Sequence, residues 1–273
     1  MIKLISLDLD GTFLNSDKLI DEDNIKTVRK MKNLGAMVVI CTGRSFVGIP
    51  DCVKELDFID YYVTSNGTSI YDVSSNKKIY SDWLSCELAC EVDNLLLEDN
   101  VAIDFLCDGE WHMSSASRNL LDKIIKDKSV LKYVCETRMF HEDIHDFLRN
   151  NHEYVEKLTI NFDDSTTSLD TIKTKLIGLD IRLWSDKKHK IDAYNVSATK
   201  GNAIKKLCQI NSVVMDEVIA FGDDENDYEL LSYAGYSVAM GNATDTIKKC
   251  AKYITTSNDE LGVAVVLQKF LDC

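Results

Sequence analysis

The chain has 273 residues, 45% of them hydrophobic and 28% charged, which allows a sizeable core and two domains. Its net charge of −14, from 45 acidic against 31 basic residues, argues against nucleic acid or an anionic membrane as the main partner, because both need a basic face. An anionic small molecule fits only where cations or a metal are placed locally.

The opening "MIKLISLDLDG" has an apolar run broken at Asp8, too short for a signal peptide. No run reaches the ~18 apolar residues of a membrane span. Nine scattered cysteines form no C-x-x-C pair, so a zinc ribbon or redox couple is unsupported and a reducing cytoplasm is expected. Cys86 and Cys90 share a helical face, read as packing.

"IKLISLD" (2–8) and "AMVVICT" (36–42) are continuous apolar runs, the pattern of strands buried on both faces. Between them Ile25, Val28, Met31 and Leu34 make one helical stripe, stopped by Gly35. A third strand is expected over 61–67. The middle changes character: a hairpin over 101–115 turning at Asp108-Gly109, helices near 117–128, 141–150 and 168–177, and strand-like runs at 155–162 and 180–194. Strand–helix alternation then resumes, with strands at 217–224, 236–242 and 252–258 and helices at 199–210, 226–234, 243–251 and 261–271. The expected fold is α/β, a doubly wound parallel-sheet, Rossmann-like core from 1–82 and 193–273, with an inserted α+β domain at 83–192.

The core strands end in chemistry-bearing residues, and ligands in such sheets bind at strand carboxyl ends. "DLDGT" sets Asp8 and Asp10 two apart, facing one side, before Gly11 turns the chain. Paired carboxylates repel unless a cation or proton compensates, although two turn-capping aspartates would read the same. "CTGR" (41–44) offers a hydroxyl and backbone N–H groups suited to phosphate. "GDDEND" (222–227) is either a carboxylate cluster or an acidic helix start, and Lys200 in "TKGNA" could equally be a surface lysine.

One motif points elsewhere. "HEDIH" (141–145) fits the H-E-x-x-H pattern of zinc peptidases, in which two helical histidines hold the metal. Ile144, Phe147 and Leu148 form the apolar stripe of that stretch, which leaves His141 and His145 on a solvent-facing flank. The other histidines, His112, His152 and His189, lie in no third-ligand motif, so a zinc site is not expected there.

Asp8-x-Asp10-Gly11-Thr12, Thr42-Gly43-Arg44, Lys200-Gly201 and Gly222-Asp223-x-x-Asn226-Asp227 together resemble the four motifs of haloacid dehalogenase superfamily phosphatases. "SNGTSIYD" (65–72) and "AMGNA" (239–243) are similar to the Cof-type subfamily, whose large α/β cap lies where 83–192 is inserted. Thr68 and Leu230 depart from the alanine and methionine frequent in that family.

The resemblance implies Mg²⁺-dependent hydrolysis of small phosphomonoesters, such as sugar phosphates or similar metabolites, through an aspartyl-phosphate. Asp8 would be the nucleophile and Asp10 the general acid and base. Asp8, the Asp10 carbonyl and Asp223 would hold Mg²⁺, and Leu9, Thr42, Gly43, Lys200 and Asn226 the phosphoryl oxygens. Asp227 would orient Lys200 or a water, Asp224 would assist or face solvent, Arg44 would support the site, and Asn66 would be a polar contact where core and cap meet. The cap would set specificity, with "SDKKHKID" (185–192) either drawing in anions or forming a solvated basic turn. Two rivals are a phosphomutase using the same intermediate and a non-catalytic sugar-phosphate sensor, the latter disfavoured by the intact set Asp8, Asp10, Lys200 and Asp223. No feature sets an oligomeric state.

Overall fold

The computed structural model describes residues 1–185 and 189–272, so Asp186, Lys187 and Lys188 of the basic stretch lie outside the described residues. The chain forms two compact units, Met1–Ser81 with Ala198–Cys273, and Asp82–Ser197.

The first unit is built on an eight-stranded sheet. In spatial order its strands are Tyr253–Ile254, Tyr236–Ala239, Val218–Gly222, Leu4–Leu7, Met37–Cys41, Tyr61–Thr64, Ser69–Asp72 and Lys77–Ser81. The first six are parallel, in the register Leu4 opposite both Val218 and Met37. Leu4–Leu7 is buried at every position, as its unbroken apolar run requires of a central parallel strand. From it the chain builds outward first through Met37–Cys41, then later on the other side through Val218–Gly222. That reversal is a topological switch point, and it opens a crevice at the carboxyl ends of these two strands.

The last two strands are antiparallel, a hairpin that the sequence patterning does not announce. Lys77–Ser81 is largely exposed and has no buried face to alternate. Helix Glu22–Asn33 packs against Gly262–Leu271, and Lys200–Ile210 against Tyr228–Tyr233. In the first of these helices Val28 and Met31 are buried, but Leu34 lies beyond the last turn and is exposed, so the expected stripe ends at Met31. Gly35 adopts φ +96°, the left-handed conformation that stops a helix.

The second unit has a six-stranded sheet in the order Ile181–Ser185, Lys190–Asn195, Lys157–Phe162, Val101–Cys107, Glu110–Ser114, Arg138–His141. All neighbours are antiparallel except the last pair. The turn at Asp108 and Gly109 has φ of +50° and +87° as a tight hairpin demands. Alternation along Val101–Cys107 divides the apolar residues between two clusters: Ile103, Phe105 and Cys107 in one, Ala102 with Met113 and Leu121 in the other. Cys86 and Cys90 are buried free thiols in the first cluster. A buried polar knot crosses the sheet, where Asp192 accepts from Thr159 Oγ1 at 2.6 Å and from Lys157 Nζ at 3.1 Å.

Two expectations for this unit need correction. The helix near 117–128 is instead Ser115–Arg118 and Leu121–Ile124, and Lys128–Thr137 starts afresh where Asp127 accepts from the N–H groups of Ser129 and Val130. The stretch 141–150 is also split. His141 ends the strand Arg138–His141, and the helix is Ile144–Asn151, capped by Asp143. His141 and His145 therefore do not share a helix flank. His141 stacks on Phe147 at 3.8 Å between ring centroids, and His145 Nε2 lies 2.8 Å from Asp93. The H-E-x-x-H geometry does not form. Among the described residues no helix is long and apolar enough to cross a membrane.

Candidate active site

Leu4–Leu7 delivers Asp8 to the crevice, where it is 5% exposed. The Asp8 N–H donates to Phe221 O at 3.3 Å, so the neighbouring strand Val218–Gly222 ends in step and brings Asp223 alongside. The loop after Asp8 folds back tightly, with Phe13 N donating to Asp8 O and Leu14 N to Leu9 O. Gly11 sits in this loop at φ +82°, and a Cβ there would stand 2.2 Å from Asp223 Oδ2. Only glycine permits that approach. The Thr12 hydroxyl then donates to Asp223 Oδ1 at 3.2 Å.

Lys200 begins the helix Lys200–Ile210, whose N-cap Thr199 accepts from Asn202 N. Its side chain is wholly buried, and Nζ donates to Asp8 Oδ1 at 2.7 Å and Asp227 Oδ1 at 2.6 Å. The other Asp227 oxygen accepts from the N–H groups of Asp223 and Asp224 at 3.0 and 3.3 Å. Asp227 therefore orients Lys200 and also braces the loop that carries Asp223.

Three carboxylates surround one ammonium, and the imbalance is visible in their protonation. Burial, helped by the charges of Asp227 and Asp223 and opposed by Lys200, pushes Asp8 well above the carboxylate range. Burial and Asp227 raise Asp223 to about 7. Burial disfavours the Lys200 charge, but Asp227 and Asp8 outweigh it and hold the ammonium protonated. Ligand oxygens of Asp8, Asp223 and Asp227 lie within 4.8 Å of one another. An all-oxygen, electron-rich set short of positive charge fits a hard divalent cation. Since Asp227 is engaged by Lys200 and two N–H groups, Asp8 and Asp223 are the ligands with capacity to spare.

Thr42 and Gly43 come directly after the strand Met37–Cys41, and Thr42 is buried with Oγ1 accepting from Arg44 N at 3.2 Å. Arg44 O accepts from Ser65 N and Thr42 O from Asn66 N, which lace this turn to the next one. Asn66 stands at φ +57° and accepts from Asn226 Nδ2 at 2.9 Å. A Cβ on Gly43 would lie 3.0 Å from Asn66 Oδ1. Thr42, Gly43, Asn66 and Asn226 are thus gathered as one polar group. The Leu9 side chain is buried in the core, so only its backbone N–H can serve a ligand. Asp224 is half-buried and its carbonyl accepts from Asp227 N, a loop-shaping contact.

Asp10 is held apart from this group. Arg44 Nε and Nη2 donate to its two oxygens at 2.6 and 2.7 Å, and Lys18 Nζ at 2.9 Å. Burial works to raise its pKa, but these bonds and charges prevail and hold the carboxyl down at about 2. Lys18, in a loop at φ +62°, carries no sequence signal. Nor does the role of Asn242, which donates to Gly11 O at 2.8 Å and accepts from Asn258 N at 3.0 Å. Its place in "AMGNA" marks a subfamily likeness and no more, whereas the bond to Gly11 O steadies the glycine turn beside Asp223.

Known proteins share this chain's sequence pattern and fold over nearly its whole length. The chain is 26% identical to the 5-amino-6-(5-phospho-D-ribitylamino)uracil phosphatase YcsE of Bacillus subtilis, over 99% of its length and 96% of the relative's. It is 28% identical to the phosphatase YwpJ of the same organism, over 99% and 100%. A solved haloacid dehalogenase-like hydrolase from Bacteroides thetaiotaomicron superposes with a TM-score of 0.82 at 27% identity, covering 99% of this chain and 100% of that one. Residues 5–267 match the family described as haloacid dehalogenase-like hydrolase, and the chain belongs to that family.

Proposed function

We propose that the protein is a Mg²⁺-dependent phosphatase that hydrolyses small phosphomonoesters through an aspartyl-phosphate on Asp8. The observation that supports this most is the fully buried Lys200, 2.7 Å from Asp8 and paired on its far side with Asp227. A cation in that position lowers the repulsion between a carboxylate nucleophile and a phosphate dianion.

An Asp8 oxygen attacks phosphorus while the ester oxygen departs, taking a proton from Asp10. Water then attacks the acyl phosphate and Asp10, now a carboxylate, receives its proton, which regenerates Asp8 and releases phosphate. Thr42, the Gly43 and Leu9 N–H groups, Lys200 and Asn226 hold the phosphoryl oxygens, and Asn66 keeps Asn226 in place. Mg²⁺, held by Asp8, Asp223 and the Asp10 carbonyl, would supply charge neutralisation at the transferring group. Residues 1–82 and 193–273 form the catalytic core in this reading, and 83–192 the cap that selects the leaving group. The protein would work in the cytoplasm on phosphorylated metabolites.

Phosphate release from a panel of sugar phosphates, nucleotides, pyridoxal phosphate, acetyl phosphate and 5-amino-6-(5-phospho-D-ribitylamino)uracil tests the reading. The last compound is chosen from the relative's name. Turnover should stop with EDTA and with Asp8→Asn. Activity that survives either would refute the mechanism, isomerisation of a hexose phosphate without phosphate release would indicate a mutase, and tight binding without turnover a sensor.

A further inference from the structure

The histidines of the inserted unit meet at a place the H-E-x-x-H spacing does not indicate. In the hairpin Val101–Cys107/Glu110–Ser114, Phe105 is opposite His112, so Cys107, two residues on, shares the face of His112. Met139 is opposite His112 on the other side, which puts His141 on that face too. His152 ends the helix Ile144–Asn151, which covers it. Sγ of Cys107 and ring nitrogens of His112 and His152 lie within 4.8 Å of one another.

His112 is 2% exposed. Its Nδ1 lies 3.1 Å from His141 Nε2, while its Nε2 is buried with no hydrogen-bond partner among the described residues. The buried ring nitrogen thus lies beside a thiol and a second imidazole, three donors of the types that bind transition metals.

We propose that Cys107, His112 and His152 form a metal site for Zn²⁺, a water completing the tetrahedron, with His141 as the outer partner that fixes the His112 ring. Thiolate and imidazole are both zinc donor types, and sulfur disfavours Mg²⁺ or Ca²⁺. With Nδ1–H donated to His141, His112 presents its Nε2 lone pair, the arrangement by which outer partners orient ligating histidines. Asp108 Oδ2 lies 3.5 Å from His152 Nδ1, so a second negative charge accompanies the thiolate. Binding draws the donors from separations of up to 4.8 Å to the roughly 3.3–3.6 Å of a tetrahedral zinc, and the Cys107 thiol proton leaves to solvent. The ion would tie the hairpin to the end of the covering helix, within the unit proposed to select the leaving group.

Chelator-treated full-length protein, kept reduced and titrated with Co²⁺, provides the test. One equivalent should produce a thiolate-to-cobalt charge-transfer absorption, one equivalent of Zn²⁺ should abolish it, and excess Mg²⁺ should leave it unchanged. Asp8→Asn and Cys52→Ser should keep the absorption, Cys107→Ser should lose it, and His141→Ala should weaken Co²⁺ binding about 10–100-fold. Should Cys107→Ser fail to fold, His152→Asn reads the same site and should weaken binding at least tenfold. No charge-transfer absorption in the wild type, its persistence in Cys107→Ser, or unchanged affinity in His152→Asn would each overturn the proposal.

Discussion

Arg44 grips Asp10 with a two-pronged contact, Nε to Oδ2 at 2.6 Å and Nη2 to Oδ1 at 2.7 Å. The proposed general acid and base is thus held as a carboxylate, at about 2, by the arginine of the turn that also supplies Thr42 and Gly43. The base half of its task needs that form, and the acid half requires the grip to yield as substrate enters.

Arg44→Gln should raise the Asp10 pKa towards the ordinary carboxylate value near ~4. A group held low loses its charge only as pH falls through that low value, so release moves the loss to higher pH. Asp10 then keeps its proton for the acid step to higher pH, so the alkaline limb of the kcat profile should shift alkaline by about 1–2 units. A limb that stays in place would show that Arg44 does not govern Asp10.

Lys200→Met leaves Asp8 and Asp227 buried together without their shared cation. Removing one partner of a buried ion pair costs about 3–5 kcal/mol, and loss of the charge proposed to face phosphate should lower kcat about 10²–10³-fold. Urea unfolding and steady-state kinetics measure the two effects separately.

Gly11→Ala places a methyl group where Asp223 Oδ2 stands, in a conformation that L-residues resist. Asp223 must move, and the Mg²⁺ concentration for half-maximal activity should rise about 10–100-fold. The helix-rich signal in circular dichroism should be unchanged.

Asp192→Asn tests the inserted unit alone. Burial works to raise the Asp192 pKa, but Lys157 and Lys190 outweigh it and hold it low. Its stabilisation is therefore complete above the unfolded value near ~3.9 and is lost as pH falls through the lower folded value. The variant should be about 3–5 kcal/mol less stable at pH 7, because Lys157 is left buried, and that difference should shrink below pH 4 in urea titrations.

The acidic centre is legible because unbroken apolar runs mark central parallel strands, and the residues just beyond the end of such a strand lie at the crevice. Asp8 and Asp223 follow such runs, but only the resemblance of their motifs to a known family separates them from turn-capping or helix-starting aspartates. Arg44 and Lys18 on Asp10 cannot be foreseen, since their approach depends on loop conformations that hydrophobic periodicity does not encode. The meeting of Cys107, His112 and His152 depends on strand register and a helix end, which bring together residues 45 apart in the chain, from Cys107 to His152. The hairpin Ser69–Asp72/Lys77–Ser81 escapes a reading by pattern because an exposed edge strand has no buried face to alternate.

That edge has a consequence for the behaviour of the protein in concentrated solution. An open sheet invites another chain to add a strand at either border. Here one border is Lys77–Ser81, beginning with two lysines, and the other is Tyr253–Ile254, only two residues long. The first repels a like-charged copy and the second is too short to template one. Intermolecular strand addition, the first step towards fibrils, is thereby discouraged at both ends of the sheet that carries Asp8.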